Sequence, residues 1–209
     1  MSRRPRAPRE ASLALLEQLA LWYPKLFGAQ FLPLKRGIFQ DLLDAHAASL
    51  QPEALKAALA QHTRSTRYLA AVAQGLPRHD LLGQAVEAMA PEHVYHALLE
   101  VFRRRQARAG EDLGEALRRR IVQAFERSGL GAEAYAARVR GRDEAANALL
   151  DAALAAARAD AARGEALLRA FEADAVAPEV FADRYGMDAA VAAQLLARAR
   201  RLRALQAAD

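Results

Sequence analysis

Residues 32–69, LPLKRGIFQDLLDAHAASLQPEALKAALAQHTRSTRYL, crowd turn signals, cap signals and two amphipathic patterns into one short stretch. Ile38, Leu42 and Ala45, widened by Phe39 and Leu43, repeat at helical spacing and predict a buried face on a helix over about 35–48. Pro52 then stands where a first helical residue belongs, with Glu53 in the first turn. The helix it starts turns Leu55 and Leu59 inward, keeps Lys56 on a neighbouring face and ends near His62. Thr63 or Ser65 can cap a short helix through Arg67, Tyr68 and Leu69, which stops before Gly75 and Pro77. A chain broken this often folds as short helices, and its cations gather at their junctions.

The flanking sequence extends the helical reading. Residues 1–10 are rich in Arg and Pro without apolar periodicity and read as a disordered basic arm. Leu13, Leu16, Leu19, Ala20 and Tyr23 predict a helix over 11–23, stopped by Pro24. Residues 24–34 read as a loop held under the core by Leu26, Phe27 and Phe31. Residues 78–86 read as a loop or small hairpin around Gly83. From Pro91 a long helix carries the stripe Val94, Leu98, Val101 and Phe102 and ends in Arg103, Arg104 and Arg105, where cations suit a helix C-terminus. The second half is alanine-rich, helical and punctuated by Gly110, Gly129, Gly141, Gly164, Pro178 and Gly186. Within it Ala124-Phe125-Glu126, Tyr135 and Arg138 correspond to Ala170-Phe171-Glu172, Phe181 and Arg184 at an offset of 46 residues. That pattern reads as an internal helical repeat over 121–160 and 167–206, each copy burying a face against the other.

Composition narrows the function classes. No run of apolar residues is long enough to cross a membrane, and no apolar segment follows the charged start, so no secretory signal is read there. The chain has no cysteine, which rules out disulfides and thiolate metal sites and makes a cytoplasmic home the simplest expectation. Residues 1–105 hold 14 Lys or Arg against 9 Asp or Glu, whereas residues 106–209 balance 16 against 16. The whole excess of positive charge therefore lies in the first half, and it favours a polyanionic partner there.

Lys35, Arg36, Lys56, Arg64, Arg67, Tyr68 and Arg78 are the candidate binding residues. Phosphates need mobile or forked cations, and an unstacked base needs a flat ring to lie on. Helix N-termini near Lys35, Pro52 and Ser65 would add backbone donors. Against this, solvated charges and a core tyrosine would look the same in sequence.

The segments Pro33-Leu34-Lys35, Gly37-Ile38-Phe39-Gln40-Asp41-Leu42 and Arg67-Tyr68-Leu69 resemble the core of the ProQ/FinO domain, a family of bacterial RNA-binding proteins, many of them RNA chaperones. The resemblance covers roughly residues 11–105. It implies a helical FinO-like domain over 11–108 with a small β-hairpin, in which a concave face receives an RNA hairpin and its single-stranded 3′ tail. On that resemblance Lys35, Tyr68 and Arg78 fall on family binding positions, and Lys56 stands where arginine is usual, keeping charge but losing the bidentate fork. The sequence departs from the family at Ala60, His62, Thr66 and Leu82, where a basic residue, tyrosine, tryptophan and aspartate are frequent. The family's longest members carry a small β-domain where residues 111–209 read as an all-α extension, so nothing carries over to that half.

Other candidates weigh less. His93 and His96, beside Glu92, are spaced as metal ligands, but no further ligand completes a zinc site. Residues 178–188 have the spacing of a helix-turn-helix unit, which would make the chain a DNA-binding regulator. Asp188-Ala189-Ala190-Val191-Ala192, however, offers no side chain to read a base edge. The remaining alternative is a helical adaptor that docks a protein partner or a second copy through 111–209. There is no phosphate-cradling glycine loop, nucleophile elbow or HExxH motif, so neither an enzyme nor a cofactor is expected.

Overall fold

The computed structural model describes residues 7–206, and the first six residues of the expected basic arm lie outside them. The chain divides into two compact units, residues 1–120 and 121–209. In the first, α1 (Ala7–Trp22) packs on α4 (Pro52–Thr63) and on the short α2 (Pro24–Phe27), and α5 (Thr66–Val72) packs on α6 (Pro91–Gln106). α3 (Ile38–Ala45) lies against α4. Leu19, Leu26, Leu42, Leu55 and Tyr95 are the largest fully enclosed side chains of this unit. α1 begins four residues before the expected start, taking residues 7–10 from the arm. The loop expected after it holds the one-turn α2, started by Pro24 at a first helical position.

α3 is shorter than its apolar pattern suggested, and the reason is local. Gly37 has φ +83°, a left-handed conformation that ends any helix running through it. Lys35 and Arg36 therefore sit in the connection ahead of α3 and not on its surface. At the other end His46 caps the helix, its N–H donating to Leu42 O at 3.1 Å. Ser65 caps α5 by accepting from the Tyr68 N–H at 3.2 Å. A two-stranded antiparallel sheet, β1 (Arg78–His79) with β2 (Ala85–Glu87), turns at Gly83, whose φ is +73°. Asp80 closes that turn, its Oδ1 accepting from Leu82 N at 3.0 Å and Gln84 N at 2.9 Å.

The second unit contains the C-terminal part of α7 (Gly114–Ser128), then α8 (Ala132–Val139), α9 (Glu144–Asp174), α10 (Pro178–Arg184) and α11 (Ala189–Gln206). Its centre is Ile121, Tyr135, Leu150, Leu168, Phe181 and Leu196. The same local geometry occurs twice. Gly129 and Ala175 both adopt left-handed φ, +67° and +49°, at the ends of α7 and α9. The ring of Phe125 meets Tyr135 edge-on at 5.4 Å, and Phe171 meets Phe181 at 5.2 Å. Asp143 and Asp188 accept from the amides of Ala146 and Val191 at the starts of α9 and α11. Gly164 does not punctuate the chain as expected. It lies inside the 31-residue α9, facing Ala199 of α11, and packing of the two helices outweighs its low helix propensity.

Candidate nucleic-acid interface

Residues 33–35 run beside β1 and are bound to it as a one-rung parallel bridge. The Lys35 N–H donates to His79 O at 2.9 Å, and the His79 N–H donates to Pro33 O at 2.7 Å. Leu34, buried between them, uses both backbone groups on distant side chains. Its N–H donates to the Tyr68 hydroxyl at 3.0 Å, and its carbonyl accepts from Arg78 Nη1 at 2.9 Å. One residue thus joins α5, β1 and the connection ahead of α3. Neither partner is close in sequence: Tyr68 is 34 positions away and Arg78 is 44.

This junction brings Lys35, Arg36 and Arg78 together, with two carboxylates among them. Lys35 Nζ meets Asp41 at 2.7 Å, and Arg36 meets Glu87 Oε1 at 2.7 Å. Arg78 Nε is 3.9 Å from Glu87 Oε2, and its Nη2 lies 3.3 Å from His93 Nδ1. The Lys35 and Arg36 side chains remain partly open to solvent, so these pairs hold little energy and can exchange for another anion. Arg78 is only 15% exposed and serves the fold as well as the surface. The N-terminus of α3, with its partial positive charge, opens just beyond Lys35.

The other expected residues are placed differently. Tyr68 is 6% exposed, with its ring edge against His62 at 5.1 Å, so it has no open face on which a base could lie. Burial raises its phenol pKa, keeping the hydroxyl protonated where it receives the Leu34 N–H. Its role here is positioning. Arg67 is also engaged within the fold: its guanidinium lies 4.3 Å over the Phe31 ring and donates to Ala29 O at 2.5 Å. Arg64 and Lys56 are exposed on α4 and its C-cap, and neither has a contact that joins it to the Leu34 junction. The Arg64 carbonyl accepts from Arg104 Nη1 at 2.8 Å, which also reaches Thr66 Oγ1 at 3.0 Å, anchoring the start of α5 to α6.

Sequence reasoning assigned no site role to Leu34, Glu87 or Arg104, whose parts depend on partners far along the chain. His93 drew notice as a metal ligand, and the structure pairs it with Arg78. Among the described residues no group of three or more His, Cys, Asp or Glu is placed to hold a metal ion. His62 lies at the centre of the aromatic floor beneath the site, its ring 4.7 Å from Phe27 and 4.4 Å from Phe31. Desolvation first, and the nearby Arg67 charge second, lower its pKa to about 4, so it is neutral at pH 7.

Comparison with known proteins places the first unit's sequence among named relatives. An RNA chaperone ProQ of Vibrio vulnificus (strain CMCP6) is 39% identical over 90 residues, covering 41% of this chain and 44% of the relative. An RNA chaperone ProQ of Aeromonas salmonicida (strain A449) is 45% identical over 67 residues, covering 31% of this chain and 32% of the relative. The chain thus spans less than half the length of these relatives. A solved structure from Neisseria meningitidis MC58, described as a FinO-like RNA chaperone, is 30% identical, with a TM-score of 0.39 over 43% of this chain and 92% of that one. The family model described as ProQ/FINO family matches residues 9–113, half of the sequence, and the chain belongs to that family.

Proposed function

We propose that the first unit binds structured RNA at a hairpin stem and its single-stranded 3′ tail, and that the chain acts as an RNA chaperone in the cytoplasm. The observation that carries this reading is the Leu34 junction, which holds Lys35, Arg36 and Arg78 as one cationic group at the open N-terminus of α3. Phosphate oxygens can displace Asp41 and Glu87 from the exposed cations, so binding trades one ion pair for another and falls with added salt. Lys56 and Arg64, exposed on and just after α4, would extend the contact to more of the backbone. The relatives named RNA chaperone ProQ support the same reading. Residues 111–209 then form a helical extension available to a protein partner.

Fluorescence anisotropy with a hairpin bearing a U-rich 3′ tail tests it. Lys35→Ala and Arg36→Ala should each reduce the slope of log K against log salt by about 0.7–1, the value for one lost phosphate contact. Trimming the tail should weaken binding more than changing the stem sequence. Equal affinity for a blunt duplex, or binding without salt dependence, would refute the proposal.

A further inference from the structure

Trp22, the only tryptophan of the chain, ends α1 in a setting that core packing alone does not explain. Its indole is stacked on the His46 imidazole, centroids 3.8 Å apart and planes 7° from parallel. His46 is itself fixed: its Nε2 is hydrogen-bonded to the Tyr23 hydroxyl at 2.8 Å, and its backbone caps α3. None of the three rings is enclosed. Each is only half-buried, while Leu19, Leu26 and Leu42 fill the core beneath them. His46 covers one face of the indole, and the Trp22 side chain keeps part of its surface in solvent.

We propose that Trp22 is a stacking platform for one unpaired nucleobase of the bound RNA, a contact separate from the Lys35 cluster. The inference rests on the RNA-binding reading above and extends it. A flat ring held rigidly by a second ring loses little entropy when a base lies on it, and this is the geometry that single-strand binders use. Its position suits the strand. His46 and Lys35 lie at opposite ends of α3, whose eight residues span about 12 Å. That distance is three or four nucleotides at the stacked rise of about 3.4 Å, and fewer in an extended strand. Lys25, exposed three residues beyond Trp22, lies across the hairpin turn: a Cβ on Gly83 would come within 2.7 Å of its Cδ. The Lys25 stem thus packs on the turn of the hairpin that bears Arg78. Because every base has a π face, the platform would select a position along the tail and not a base identity.

The single indole reports on its own occupancy. Titrating the full chain with a hairpin carrying six unpaired 3′ nucleotides should quench Trp22 emission and shield it from acrylamide, whereas the blunt hairpin, bound at higher protein concentration, should do neither. Trp22→Ala should weaken the tailed RNA at least about fivefold, the loss of one base–aromatic stack, with Trp22→Phe recovering most of it. An abasic nucleotide at one tail position should cost as much as Trp22→Ala, and combining the two should cost no more than either alone. Tailed RNA that binds with unchanged emission, or additive losses at every abasic position, would overturn the platform while leaving the Lys35 site standing. No RNA binding by the wild-type chain would instead overturn the reading on which it rests. Should Trp22→Ala fail to fold, the wild-type quenching and Trp22→Phe still decide.

Discussion

His62 should make the first unit acid-labile well above the range in which its carboxylates titrate. The side chain is 3% exposed, its Nε2 has no hydrogen-bond partner, and Phe27, Phe31 and Tyr68 surround it. Its pKa falls from 6.5 to about 4 on folding. Between those values the unfolded chain binds the proton more tightly, so stability is full above pH 6.5 and is lost as pH falls toward 4. The loss approaches about 3 kcal/mol on complete protonation and is about 2.5 kcal/mol at pH 4.5. Replacing the ring by a non-titrating one, His62→Phe, removes this contribution. Urea unfolding of wild type and variant, followed by Trp22 fluorescence so that only the first unit is observed, isolates it from all shared carboxylates. The wild-type midpoint should fall relative to the variant by about 1–2 M between pH 7 and 4.5. A stability difference that stays constant across that range would refute the argument, and so would a direct NMR titration placing His62 near 6.5.

Two further outcomes test the junction beneath the site. Tyr68→Phe keeps the ring and strands the buried Leu34 N–H, which should cost about 1–3 kcal/mol and speed exchange of that amide. Unchanged exchange at Leu34 would show that the hydroxyl is not its acceptor. Gly37→Ala should cost about 1–2 kcal/mol in thermal or urea unfolding, since a Cβ there meets nothing within 4 Å and only the left-handed backbone, φ +83°, opposes it. A neutral result would mean that the connection relaxes to another conformation.

The short helices of the first unit were legible because their signals are local. Pro52 and Pro91 start α4 and α6 as first helical residues, Ser65 caps α5, and the hairpin turns at Gly83. The same locality explains the errors. An apolar stripe continues smoothly through Gly37, so periodicity could not say that the backbone there is left-handed and that Lys35 stands off the helix. Gly164 has the composition of a break, yet the facing α11 keeps α9 continuous.

At the site, residue type announced cations beside a tyrosine, and the charge balance put them in the first half. Whether Tyr68 would offer its face or its hydroxyl could not be read from type, because burial depends on what folds over it. The structure turns the ring into the core against His62 and spends the hydroxyl on Leu34. It likewise engages Arg67 with Phe31 and residue 29, leaving the partly open Lys35 and the exposed Arg36 as the cations at the Leu34 junction. The sequence by itself determined a helical chain with its positive excess in the first half, since periodicity, caps and charge act over a few residues. Only the tertiary structure decided which cations share a surface, because Leu34 meets its partners across 34 and 44 residues of chain, and no local rule reaches that far.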